Sequence, residues 1–129
     1  MRSSKMTVTD SKKTATITGI DIAGYLVEDP SKAIAFYRDV LGMEPTAVDP
    51  DGRGAEFTLA DGTTFGVWRE PGAKTGGFVM LAVDDIHAAV PQYRAKGLTI
   101  SDVDETPVCF MAFTQDNEGN GLIVHQRKA

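Results

Sequence analysis

The sequence has a single cysteine, Cys109, in 129 residues. One thiol closes no intrachain disulfide and builds no cysteine-based zinc site, so a reducing compartment, the cytoplasm, is expected. No apolar run is long enough to span a membrane. The opening segment MRSSKMTVTDSKKTAT carries charge but no apolar core of the secretory type. Residues 1–16 are expected to be a disordered tail. Positive charge is also in deficit: 13 Lys and Arg face 18 Asp and Glu, for a formal net charge of −5. An acidic surface repels phosphate backbones, which argues against nucleic acid as a partner. There is no P-loop, no dinucleotide-type glycine loop and no Gly-x-Ser-x-Gly elbow.

Ordinary globular composition remains, with 42% hydrophobic and 24% charged residues. It suits one domain over residues 17–129 that folds without disulfides. The run ITGIDIAGYLV, residues 17–27, reads as a strand covered on both faces. Asp29 is an N-cap and Pro30 a first helical residue. The helix SKAIAFYRDVL places Ala33, Ile34, Tyr37, Val40 and Leu41 at core spacing and stops at Gly42. A short strand over 44–49 and a hairpin of GAEFTLA with TTFGVWRE across Asp61-Gly62 follow. After the loop Pro71–Gly77 the order recurs. The strand FVMLAV leads to a helix IHAAVPQYRAK capped by Asp84-Asp85. LTISDV is the next strand, and VCFMAFTQ then pairs with GLIVHQR across Asp116–Asn120. Pro91 falls in the second turn of that helix, where it either costs little or shortens the first turn.

The recurrence is an internal repeat. Leu26-Val27-Glu28-Asp29 aligns with Ala82-Val83-Asp84-Asp85, and Tyr37-Arg38 with Tyr93-Arg94. Glu56-Phe57-Thr58 aligns with Ala112-Phe113-Thr114. Gly62–Trp68 aligns with Gly119–His125. Module one spans about 17–70 and module two about 76–128. Two copies in one domain imply a pseudo-twofold axis.

Val27-x-Asp29 with Ala35-Phe36-Tyr37-x-x-Val40-Leu41-Gly42 resembles the first half of the vicinal-oxygen-chelate superfamily, which holds glyoxalase I, bleomycin-resistance proteins and ring-cleaving dioxygenases. Asp116-Asn117-Glu118-Gly119-Asn120 with Leu122–Gln126 resembles its second half. The resemblance implies an α+β fold: two tandem βαβββ modules forming a curved mixed sheet that cups a pocket. Alternation along the strands then sends Ala23, Tyr25 and Val27 to the helix. It sends Ile22, Gly24, Leu26, Thr64, Gly66, Trp68, Phe78, Met80, Ala82, Gly121, Ile123 and His125 to the cup. The resemblance also implies four metal-ligand positions, which fall here on Ile22, Gly66, Phe78 and Ile123. None of these carries a ligating atom. No cofactor is therefore expected, and a divalent metal only at a non-standard site; Asp21 would add one ligand, too few alone.

Trp68 and His125 occupy equivalent positions and are expected near the cup axis, as a stacking wall and a titratable anchor. The plain alternatives are a packed aromatic and a strand-end residue. Phe78, Met80, Ile22 and Ile123 are candidate walls, and Gly66 and Gly24 leave room for a ligand. Glu56 could reach the cup. Glu105 is a candidate anchor or base, or else a solvated loop residue. Cys109 is a candidate wall residue, more in keeping with an inert buried thiol than with a nucleophile. Asp21, in an apolar strand, needs a partner if buried and is read as structural. His87 is read as a surface residue, and Tyr37 and Tyr93 as packing.

The expectation is a binding protein of the glyoxalase/bleomycin-resistance type, without the usual metal, that holds a small organic molecule. A metal-free lyase or isomerase using His125 as acid and base, with Glu105 or Glu56 in support, is the first alternative. A ligand-free accessory domain is the second. The resemblance also implies a homodimer.

Overall fold

In the computed structural model, which describes residues 14–129, two aspartates set the phase of both halves. The Asp29 carboxylate accepts the Lys32 N–H at 3.1 Å, and the Asp85 carboxylate accepts the Ala88 N–H at 3.2 Å. Each bond satisfies a first-turn donor that the helix itself cannot. The first module runs β1 (Ile17–Leu26), α1 (Pro30–Ala35), β2 (Ala47–Val48), β3 (Gly54–Thr58) and β4 (Thr64–Trp68). The second runs β5 (Gly76–Val83), α2 (Ile86–Ala95), β6 (Asp104–Glu105), β7 (Cys109–Gln115) and β8 (Gly121–Arg127). One eight-stranded sheet has the order β2-β3-β4-β1-β5-β8-β7-β6. Strand β1 is parallel to β4, and β5 to β8; the remaining pairs, including the β1–β5 junction, are antiparallel. The architecture is thus α+β, two βαβββ modules joined edge to edge in a curled mixed sheet.

Each helix covers its own module's outer strands. Ala55, Phe57 and Val67 pack with Val27, Ala33, Ile34 and Tyr37, while Val83, Ile86, Ala89, Val90, Ala112 and Val124 form the second helix core. Pro91 lies within α2 without ending it.

The register refines the repeat. Leu26 faces Trp68 and Ala82 faces His125, so those two positions are equivalent. Across the next ladder, however, Trp68 faces Gly54 and His125 faces Met111. Glu56 therefore corresponds to Phe113, not Ala112, and Phe57 to Thr114. A one-residue slip turns a side chain to the other face: Phe57 is fully buried against α1, whereas Phe113 is 36% exposed.

Several expectations change. Strand β1 is not covered on both faces. The helices sit over the outer strands, and Ile17, Ile20 and Tyr25 are about half exposed or more; Ala23 is exposed too, so of the three residues expected at the helix only Val27 joins its core. Val40 and Leu41 are exposed because α1 widens into a π turn over Phe36–Val40. The wider turn shifts the phase that put Ala33, Ile34 and Tyr37 inward. The strand expected over 44–49 shrinks to Ala47–Val48. LTISDV is irregular: the Ser101 hydroxyl accepts the Phe113 N–H at 2.8 Å, and the Thr114 hydroxyl donates to the Thr99 carbonyl at 2.7 Å, replacing a regular ladder. Of the expected tail, residues 1–13 lie outside the described residues. Ala15 is buried in the second core, and its backbone exchanges two hydrogen bonds with the Gln92 amide.

Candidate functional site

The concave face of the sheet carries one apolar cluster. Ile22, Phe78 and Met80 are its buried members, and Leu26, Trp68, Met111 and Ile123 pack against them partly exposed. It crosses the β1–β5 junction, so both modules build one wall.

At one end of this wall, Trp68 lies on a glycine floor. A Cβ on Gly54 would stand 2.7 Å from Cδ2 and Cε3 of the indole, and one on Gly66 would stand 3.1 Å from its Nε1. The ring thus lies beside both residues; at Gly54 a Cβ would also meet the Val67 carbonyl oxygen at 2.2 Å, whereas at Gly66 the indole would have to give only a few tenths of an ångström. Module two carries Met111 and Ile123 at the equivalent positions. Gly24 faces Gly66 across the parallel ladder, where a Cβ would meet the Gly66 carbonyl oxygen at 1.8 Å.

At the other end stands His125, with its side chain 7% exposed. Its Nδ1 lies 2.6 Å from Asp21 Oδ2, and Arg127 Nη1 donates to Asp21 Oδ1 at 3.2 Å. The β1–β5 ladder is interrupted between Ile20 and Ile22. The extra residue is a bulge, and bulges re-aim side chains. It brings Asp21 across β5 to His125, and Ala82, directly opposite His125, is small enough to leave them room. Nε2 has no hydrogen-bond partner among the described residues.

Trp68 and His125 do not meet near the axis as expected. Trp68 shares a row with Leu26 and Gly76, while His125 shares one with Ala82 and Gly19. Six residues of β5 separate these rows, about 20 Å at roughly 3.3 Å per residue. An axis between antiparallel β1 and β5 sends equivalent residues to opposite ends. A small planar molecule is too short to touch both.

Of the remaining candidates, Glu56 is on the concave face opposite Gly66, partly buried, and its carboxylate makes no hydrogen bond among the described residues. Glu105 is not with them. It faces Phe110, which packs in the α2 core, and its carboxylate accepts from Lys128 Nζ at 2.6 Å on that side of the sheet. The Lys128 ammonium beside it holds the Glu105 carboxyl below its ordinary range. Cys109 is buried at the start of β7 with its Sγ 3.2 Å from the Thr106 hydroxyl. His87 is exposed, edge-on to Phe110. The role of Asp21 in the site was not read from the sequence; the available signal was an acid within an apolar strand, but its partner lies 104 residues away.

Ile22, Gly66, Phe78 and Ile123 occupy two adjoining rows at the middle of the concave face. Side chains without nitrogen, oxygen or sulfur do not fit a divalent ion. Among the described residues, no three of His, Cys, Asp and Glu converge to hold a metal. None of the helices there is long and apolar enough to cross a membrane.

Solved structures share the fold. Methylmalonyl-CoA epimerase from Mycobacterium tuberculosis superposes with a TM-score of 0.64 at 18% identity, covering 88% of this chain and 90% of that one. A glyoxalase/bleomycin resistance protein/dioxygenase superfamily member from Vibrio splendidus gives 0.61 at 20%, covering 88% and 100%. The Mn(II)-bound glyoxalase from Novosphingobium aromaticivorans gives 0.60 at 23%, covering 89% of this chain and 42% of that one. No curated protein sequence matches the chain. The family profile for the Glyoxalase/Bleomycin resistance protein/Dioxygenase superfamily matches residues 19–124, most of the chain. With that match, and with two βαβββ modules in one curled sheet, the chain belongs to this superfamily.

Proposed function

We propose that this protein binds a small organic molecule on the concave face of its sheet, without a metal at the family positions. One observation carries the reading: a continuous apolar wall built from both modules ends at a polar pair, the buried His125 and the partly buried Asp21. Apolar walls with a few fixed polar groups are the usual make-up of a ligand site. Ile22, Phe78, Met80 and Ile123 serve as walls, and His125 is the polar anchor. Trp68 on its glycine floor is a stacking platform for the far end of an elongated ligand. Glu105 has no part in it. The chain is further proposed to work as a homodimer, the state that the family resemblance implies.

A second reading is a lyase or isomerase in which His125 carries a proton. The carboxylate 2.6 Å from its Nδ1 favours it, since an oriented imidazole is the common general base. Unchanged turnover by His125→Ala on an identified substrate would exclude it.

The test of binding is a native mass spectrum of protein purified without chelator. An organic adduct at one per chain, lost in a Met80→Arg variant that still folds, is the expected result. A stoichiometric divalent ion with no organic adduct would overturn the reading.

A further inference from the structure

Buried polar atoms are almost always hydrogen-bonded, and an exception calls for a reason. His125 supplies one: its side chain is 7% exposed, and Nε2 has no partner among the described residues. The other nitrogen is firmly held. Asp21 accepts from Arg127 through Oδ1 and faces His125 Nδ1 through Oδ2. An ionised carboxylate can only accept, so Nδ1 carries the proton of the bond. The neutral ring that carries that proton is the Nδ1–H tautomer. In that tautomer Nε2 is a bare acceptor.

We propose that Asp21 is a positioning residue that holds His125 as its Nδ1–H tautomer, and that the ligand meets Nε2 with a weakly acidic O–H on an unsaturated carbon, as in a phenol or an enol. The proposal rests on the concave face being the binding surface. A donor hydroxyl supplies what Nε2 lacks, and the ring or alkene carbons lie on the neighbouring apolar wall. A carbonyl or ether oxygen at the same place would set acceptor against acceptor. A site built for a hydrogen-bonding group rejects the analogue lacking it far more strongly than an apolar pocket rejects a missing methylene. Asp21 comes from module one and His125 and Arg127 from module two, so selection for the hydroxyl depends on how the two modules are joined.

The probes are 4-methylphenol and 4-methylanisole, which share a ring and an oxygen and differ in the donor hydrogen. Long-range 1H–15N correlation of the imidazoles reads the tautomer. A His125→Gln variant assigns the signals, because His87 is the only other histidine. The wild type is expected to show Nδ1–H with Nε2 unprotonated, and to bind 4-methylphenol at least tenfold more tightly than 4-methylanisole. Asp21→Ala is expected to move the tautomer towards Nε2–H and bring that ratio below about threefold. If Asp21→Ala does not fold, Asp21→Asn serves, because its amide can donate to Nδ1 and drive the same tautomer change. A clamp that only joins the modules would lower stability and leave the ratio intact, which overturns the proposal. Equal binding of the two probes by the wild type also overturns it, while leaving the concave face as a binding surface. No perturbation of Met80 or Ile123 resonances by either probe overturns both. A wild-type Nε2–H tautomer is fatal to the proposal whatever binds.

Discussion

Asp21 Oδ2 and His125 Nδ1 lie 2.6 Å apart, joining the first strand of one module to the last strand of the other. The contact exists because a bulge in β1 turns Asp21 onto the concave face, and because Ala82 leaves space beneath the pair. Its energetic weight is open to direct test.

Asp21→Ala removes the only partner that a buried Nδ1 has among the described residues and is expected to destabilise the fold by about 1–3 kcal/mol. Arg127→Ala touches the same carboxylate from a side chain that is 65% exposed, where solvent screens the pair. It is expected to cost under about 1 kcal/mol. Urea denaturation of the two variants checks the difference; equal losses would mean that Arg127, not His125, is the main partner of Asp21.

Gly24→Ala and Gly19→Ala make a controlled pair on the same strand. A Cβ on Gly24 meets the Gly66 carbonyl oxygen at 1.8 Å, and backbone cannot swing aside as a flexible side chain can. A Cβ on Gly19 meets nothing within 4 Å. Gly24→Ala is expected to lose at least about 1–3 kcal/mol, the range for overpacking. Gly19→Ala should stay within about 0.5 kcal/mol of wild type. Thermal unfolding of both variants decides it.

The turn before β8 predicts a pH dependence. The Asn120 side-chain amide, with the backbone N–H groups of Asn120 and Glu118, holds the Asp116 carboxyl below its ordinary range. A folded-state value below the unfolded one means stability that is present in full above the ordinary carboxylate range and lost as pH falls through the folded value. Asp116→Asn is therefore expected to melt below wild type at pH 7, with the gap closing as pH falls below the ordinary carboxylate range. A gap that stays constant from pH 7 to pH 2 would show that the charge of Asp116 contributes nothing.

The uncovered face of β1 bears on assembly. Ile20 is 67% exposed there, beside exposed Ile17 and Tyr25. If a second copy covers this face, Ile20→Glu is expected to shift a dimer to monomer in sedimentation velocity while leaving the melting of the monomer near wild type. A dimer unaffected by the charge would place the contact elsewhere.

Both caps, the hairpin glycines, the order of elements and the inward placement of Ala33, Ile34 and Tyr37 were legible in the sequence. These are local: an Asp before a helix satisfies that helix, and a repeat written twice announces two modules. That Ile22, Gly66, Phe78 and Ile123 offer no donor atoms could also be read, because that holds wherever these side chains lie. The third-strand match was misleading, since Phe-Thr occurs in both modules one register apart and nothing local separates the two alignments. The π turn that exposes Val40 and Leu41 left no sequence mark either.

What residue order and chemistry determined by themselves was the fold, its repeat, and the absence of ligating side chains at the family positions. Only the tertiary structure decided which polar groups meet. Trp68 and His125 are equivalent in sequence, yet the antiparallel β1–β5 junction sends them to opposite ends of one wall. Asp21 and His125 share no motif, yet one extra residue in β1 brings them together. Local pattern encodes which face a side chain prefers, whereas contact between distant strands depends on register and on a single bulge. A change of one residue there costs little along the chain and rearranges everything across it.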